Sequence, residues 1–127
     1  MSTKVLIVDD EVEFASTLAE RLALRNYDVQ AVYSAEDAIT SAQNDPPDVV
    51  LLDLRMPGIG GLEVLKTLKK FDPTIEVILV TGQPETEGTD EEVLPGLFDY
   101  IMKPVDMGEL ILKINNADQK RNLSKHS

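Results

Sequence analysis

Five stretches of the chain have the apolar character of strands. Val5–Val8, Val49–Leu52 and Val77–Val80 are unbroken apolar runs, and Val29–Tyr33 and Phe98–Met102 are weaker candidates. Runs apolar on both faces predict parallel strands covered by helices on each side. Between them the period changes. Phe14, Leu18 and Leu22 repeat at helical spacing with Ala15 and Ala19 alongside, and Leu62, Leu65 and Leu68 line a further helix. Ser34 with Asp37, and Asp106 with Glu109, have the spacing of capping boxes. The first would open a helix over Ala35–Ala42, the second a last helix through Leu110 and Ile114. Pro46-Pro47, Pro57-Gly58 and Pro73 punctuate the loops.

Strand and helix thus alternate five times. That order predicts a doubly wound α/β domain, a five-stranded parallel sheet with helices on both faces and right-handed crossovers. No internal repeat is present. The domain is expected over residues 1–117, and the polar end, 118–127, with Lys120, Arg121 and Lys125, reads as a frayed tail or the start of a linker. One segment departs from the pattern. "QPETEGTDEEVLPG", Gln83 to Gly96, carries Pro84, Gly88, Pro95 and five acids without a clear apolar stripe. Its fourth helix is expected to be short, displaced or partly disordered, with a stub around Asp90–Leu94.

Composition narrows the possibilities. At 127 residues, 43% apolar and 28% charged, the chain is a soluble globular protein large enough for one sizeable core. The absence of cysteine excludes disulfides, thiolate metal sites and cysteine nucleophiles. Neither a signal peptide nor a membrane span is legible, so a cytoplasmic location with no membrane partner is expected. Twelve basic against twenty-three acidic residues give −11, which offers no general electrostatic reason to bind nucleic acid directly. Such a charge attracts divalent cations or a basic partner face instead.

The acid is not evenly spread. In open α/β sheets the ligand crevice lies at the carboxyl ends of the strands. Here the first strand ends in Asp9-Asp10, the third in Asp53, the fourth in Thr81-Gly82 and the fifth in Lys103-Pro104. Singly, Asp10 reads as a helix cap, Thr81 as a strand-end hydroxyl and Lys103 as a solvated edge residue. Their convergence on one edge favours a shared purpose. Two carboxylates ~4 Å apart repel by roughly 4 kcal/mol at an effective dielectric of 20, so three in one crevice call for a cation. Magnesium, Mg2+, suits them, being a hard ion that takes oxygen ligands and keeps waters. Thr81 offers a neutral donor and Lys103 a compact positive charge for phosphoryl oxygens. Asp53 is then the candidate nucleophile, forming an aspartyl phosphate.

The stretches "VLIVDDE", "DVVLLDLRMPGIGGLEVL", "VILVTG" and "FDYIMKPVDMGEL" resemble the receiver domain of bacterial two-component response regulators, from about Lys4 to Asn116. The resemblance implies a flavodoxin-like strand order 2-1-3-4-5. It implies a phosphoryl group accepted on Asp53 from a sensor histidine kinase or phosphotransfer protein. It further implies Mg2+ held by Asp10, Asp53 and the backbone carbonyl of Arg55, with Asp9 acting through a metal-bound water. The backbone amides of Leu54 and Gly82 would face the phosphoryl oxygens, the bond before Pro104 would be cis, and Tyr100 would be the switch aromatic that follows Thr81. The face of the fourth helix, fifth strand and fifth helix would then bind an output partner or a second copy.

Three other readings compete. A flavodoxin would need a hydroxyl- and amide-rich loop where Asp9-Asp10-Glu11 stands. A haloacid-dehalogenase-type phosphatase usually has a second acid two residues after its nucleophile, where this chain has Arg55. A receiver-like interaction module independent of phosphate would have no need of the full set of site residues.

Overall fold

The computed structural model describes residues 2–54, 60–82 and 96–125. In chain order these form β1 (Lys4–Val8), α1 (Val12–Ala23), β2 (Asp28–Val32), α2 (Ala35–Asn44), β3 (Val49–Leu52), α3 (Gly61–Phe71), β4 (Glu76–Thr81), β5 (Leu97–Met102) and α4 (Met107–Lys125). The sheet is wholly parallel with the order β2-β1-β3-β4-β5. The three unbroken apolar runs are its centre, and the two weaker candidates are its edges. The expected irregular fourth helix and the backbone of Arg55 both lie outside the described residues.

Alternation along each strand sorts the core into two layers. Leu6, Val8, Val50, Leu52, Val77 and Leu79 face one way and meet Ala35, Ala38 and Ala42 of α2 and Val64, Leu65 and Leu68 of α3. Val5, Ile7, Val49, Leu51, Ile78 and Val80 face the other way and meet Ala15, Leu18 and Leu22 of α1 and Leu110, Ile114 and Ala117 of α4. Small alanines on α2 let that helix approach closely. One half of each expected capping box forms: Ser34 Oγ accepts from the Asp37 amide at 3.1 Å and Asp106 Oδ2 from the Glu109 amide at 2.9 Å. Each satisfies an amide that the helix itself leaves without a partner.

Of the two readings of the polar end, the frayed tail does not form: α4 continues past Asp118 through Lys125, and Arg121 is buried. The reason is a set of contacts at the amino edge of the sheet. Arg121 Nε donates to Asp48 Oδ1 at 2.9 Å, and Nη1 reaches Asp72 Oδ2 at 3.3 Å and the Thr74 hydroxyl. Thr3 adds a hydrogen bond of 2.9 Å to Asp118. One guanidinium therefore joins the last helix to the loops before β3 and β4. Among the described residues no helix is long and apolar enough to cross a membrane.

Candidate functional site at the carboxyl edge of the sheet

The sheet itself positions the site. Asp9, Asp53 and Lys103 each follow directly on a strand, yet their amides still continue its ladder. Asp9 N donates to Val32 O at 3.2 Å, Asp53 N to Val8 O at 2.9 Å and Lys103 N to Thr81 O at 2.8 Å. Backbone held this way leaves the side chains little freedom beyond their own rotamers. Asp9, Asp53 and Thr81 are buried, while Asp10 and Gly82 are exposed. Asp10 is not the cap of α1, since Glu11 occupies the N-cap position without a side-chain bond.

One carboxylate oxygen from each of Asp9, Asp10 and Asp53 lies within 4.8 Å of the others. Lys103 meets the buried side of this group. Its Nζ is 3.0 Å from Asp9 Oδ2 and pairs with the Glu11 carboxylate. The Asp9 contact is an ion pair without the alignment of a hydrogen bond, so Asp9 Oδ2 retains acceptor capacity in a buried position. Asp9 Oδ1, by contrast, accepts from the Glu11 amide at 2.9 Å. Burial pushes the Asp9 carboxyl above its usual range, and the Asp53 charge adds to this against the opposing Glu11 amide and Lys103. Burial alone would lower the Lys103 ammonium, but Glu11, Asp9 and the charge of Asp53 outweigh it and hold it above its ordinary value.

This donor set fits a hard dication. It is all oxygen, it places mutually repelling carboxylates together, and it includes a buried oxygen still lacking a hydrogen bond. The Lys103–Pro104 peptide is cis. Tyr100 is 44% exposed on the edge strand β5, where it faces Leu79 in register.

The profile of the response regulator receiver domain family matches residues 5–115. The chain belongs to that family. Among curated proteins, the receiver domain is 34% identical over 122 residues to the regulatory protein AtoC of Escherichia coli K12, covering 96% of this chain and 26% of that protein. It is 35% identical over 112 residues to the response regulator ArlR of Staphylococcus saprophyticus, covering 88% and 50% respectively. The chain thus spans a quarter to a half of the curated relatives it matches. Among solved structures, a CheY-like receiver domain protein from Methanospirillum hungatei superposes with a TM-score of 0.89 at 27% identity, covering 98% of this chain and 99% of that one. NtrX from Brucella abortus gives 0.91 at 27% identity, over 99% of this chain and 29% of its own. Receiver domains bind Mg2+ at an acidic pocket, and the three aspartates form such a pocket here.

Two features of the receiver domain escaped the sequence reading. Lys103 Nζ lies 4.4 Å from the centre of the Phe14 ring, a cation–π distance. Phe14 belonged to an apolar stripe and Glu11 to a general acidic run, yet their separation of three residues puts them on one side of a helix. The second is Gly61, at the start of α3. A Cβ there would stand 2.6 Å from Leu54 Cα and 2.7 Å from Asp53 O. The helix therefore docks directly on the backbone of Asp53-Leu54, with Gly61 N donating to Leu54 O at 3.2 Å. Gly61→Ala is expected to destabilise the fold by about 2 kcal/mol, as overpacking against immobile backbone does. A lowered urea midpoint with unchanged slope would record it.

Proposed function

We propose that Asp53 is the phosphoacceptor of this receiver domain, with a phosphohistidine of a sensor kinase or phosphotransfer protein as donor. The observation that carries this reading is the convergence of three aspartates, one of them Asp53, beside the partly buried ammonium of Lys103. An Asp53 carboxylate oxygen attacks phosphorus; the new O–P bond forms as the P–N bond breaks, and the imidazole leaves with the bonding pair. Asp10 and Asp53 would hold Mg2+, Asp9 would act through a bound water, and the Arg55 carbonyl completes the proposed ligand set. When bound, the ion supplies positive charge to the phosphoryl oxygens. Lys103, the Thr81 hydroxyl and the amides of Leu54 and Gly82 serve the same oxygens from the protein side.

The phosphoryl group shifts the population only by contacts made better in the active state, which we assign to Thr81 and Lys103 with Tyr100 following. A groove of about 570 Å³ opens beside Lys103 between Phe14, Leu18 and Arg21 of α1 and Pro104, Val105 and Met107. Its position supports docking of the phosphodonor on α1. Exposed Tyr100, Met102 and Leu112 support the face of β5 and α4 as the surface for an output partner or a second copy. The setting proposed is cytoplasmic.

Acetyl phosphate with Mg2+ should add the mass of one phosphoryl group, labile to hydroxylamine. No added mass at saturating donor would overturn the reading. Asp10→Asn should weaken Mg2+ binding about tenfold or more by removing a hard charged ligand. Because it also relieves repulsion, it should leave the metal-free fold as stable as the wild type or more so. Calorimetric titration with Mg2+ reads the first effect and urea unfolding in chelator the second. Equal Mg2+ affinity would exclude Asp10 as a ligand.

A further inference from the structure

Among the described residues, three groups of different character lie against the Lys103 ammonium. Asp9 is 1% exposed and lies 3.0 Å from Nζ. The Glu11 carboxylate pairs with the same ammonium, but its side chain is 62% exposed. The Phe14 ring lies 4.4 Å away and gives the ammonium a polarisable surface that carries no competing charge.

A phosphoryl group on Asp53 would bring new anionic oxygens to this ammonium, which has only three donors. Asp9, Glu11 and the Phe14 ring already crowd it, so turning to those oxygens draws it away from one of the carboxylates. Asp9 cannot be released cheaply, because a buried charge left without its partner is costly. Glu11 can, since its side chain already borders water and recovers hydration as it leaves.

We propose that Glu11 is a displaceable counter-ion that competes with the phosphoryl group for Lys103, and that Phe14 is the positioning residue that keeps the ammonium over the site during the exchange. This rests on the assignment of Lys103 to the phosphoryl oxygens. Glu11 then sets how readily the domain takes up and keeps a phosphoryl group. The exchange also couples the site to α1, because Glu11 is the residue that opens that helix.

The test is calorimetric titration of beryllofluoride, a phosphoryl mimic, into the Mg2+-saturated protein. Glu11→Gln should bind roughly three- to fivefold tighter, the scale of a partly exposed ion pair, with the gain shrinking as salt rises. Glu13→Gln removes the same charge two residues on, from an exposed position in the first turn of α1. It should give a distinctly smaller gain. In a Lys103→Met background the Glu11→Gln gain should vanish, because the cycle isolates the pair. Phe14→Leu should weaken binding, with Mg2+ affinity unchanged.

Equal gains from Glu11→Gln and Glu13→Gln, or a gain that persists without Lys103, would reduce Glu11 to a general charge effect and overturn the proposal. So would unchanged affinity in Glu11→Gln. A wild type that binds Mg2+ but no beryllofluoride would instead remove the phosphoacceptor reading, and this proposal with it.

Discussion

Asp53→Ala is expected to abolish phosphorylation by acetyl phosphate, whatever the donor concentration. Among the described residues no other carboxylate is placed to replace it. Asp9 is buried against Lys103 and its Oδ1 is committed to the Glu11 amide, while Asp10 sits one residue further along the loop, exposed and off the sheet ladder. Asp53, unlike Asp10, is fixed by its own amide bond to Val8 O at 2.9 Å. Attack on phosphorus needs a nucleophile held near its reacting geometry, and misplacement by about 1 Å can cost roughly a hundredfold. Residual transfer to Asp9 or Asp10 should therefore be undetectable by intact mass. Fold stability should not fall, because the substitution removes one of three crowded charges. Full-strength labelling in Asp53→Ala would show the nucleophile to be elsewhere.

Arg121→Met is expected to lower stability by about 3 kcal/mol, the lower end of the range for breaking a buried ion pair, because Asp48 and Asp72 keep some contact with water. Methionine keeps much of the length and apolar stem, so the loss reports the guanidinium and not a cavity. The effect should depend on pH in a defined direction. Burial alone would raise the Asp72 carboxyl, but the Thr74 hydroxyl and amide and then Arg121 outweigh it and hold Asp72 below its usual range. A carboxylate depressed in the folded state contributes stability that is complete above the unfolded value, about pH 3.9, and is lost as pH falls through the folded one. The difference between wild type and variant should therefore be constant from neutrality down to about pH 5 and shrink below about pH 4. Urea midpoints across that range measure it. A difference that grows on acidification would contradict the assigned network.

The same contacts explain what could be read from the chain and what could not. Val49–Leu52 was legible to the residue because a strand buried on both faces is a local pattern. The edge strand β2 fell at Asp28–Val32, one residue before the apolar run suggested, since pairing starts where Lys4 meets Asp28. Register is a property of two strands, and one strand's composition does not contain it. At the site, the residue types at the strand ends identified Asp9, Asp53, Thr81 and Lys103 as neighbours, because a parallel sheet brings all its carboxyl ends to one edge. The orientation of Glu11 toward Lys103 was illegible, as it follows from how α1 leaves that edge. Arg121 was misread for a related reason. Its partners Asp48, Asp72 and Thr74 lie 73, 49 and 47 residues away, and no window of neighbouring residues reveals them.

The position of α4 has a consequence for how the protein is made. Every strand pair is parallel, so none can form as a hairpin while the chain is still emerging. The helix that covers Ile78, Val80 and Ile101 comes last in the described chain, and it also ties Asp118 back to Thr3, 115 residues earlier. A ribosome that has released the first hundred residues still holds Leu110, Ile114 and Ala117. Until they emerge, part of one face of the sheet is an uncovered apolar surface, and long-range pairing of this kind is intrinsically slow. The newborn chain is thus exposed to aggregation until α4 has emerged, and a stall within α4 would prolong that exposure.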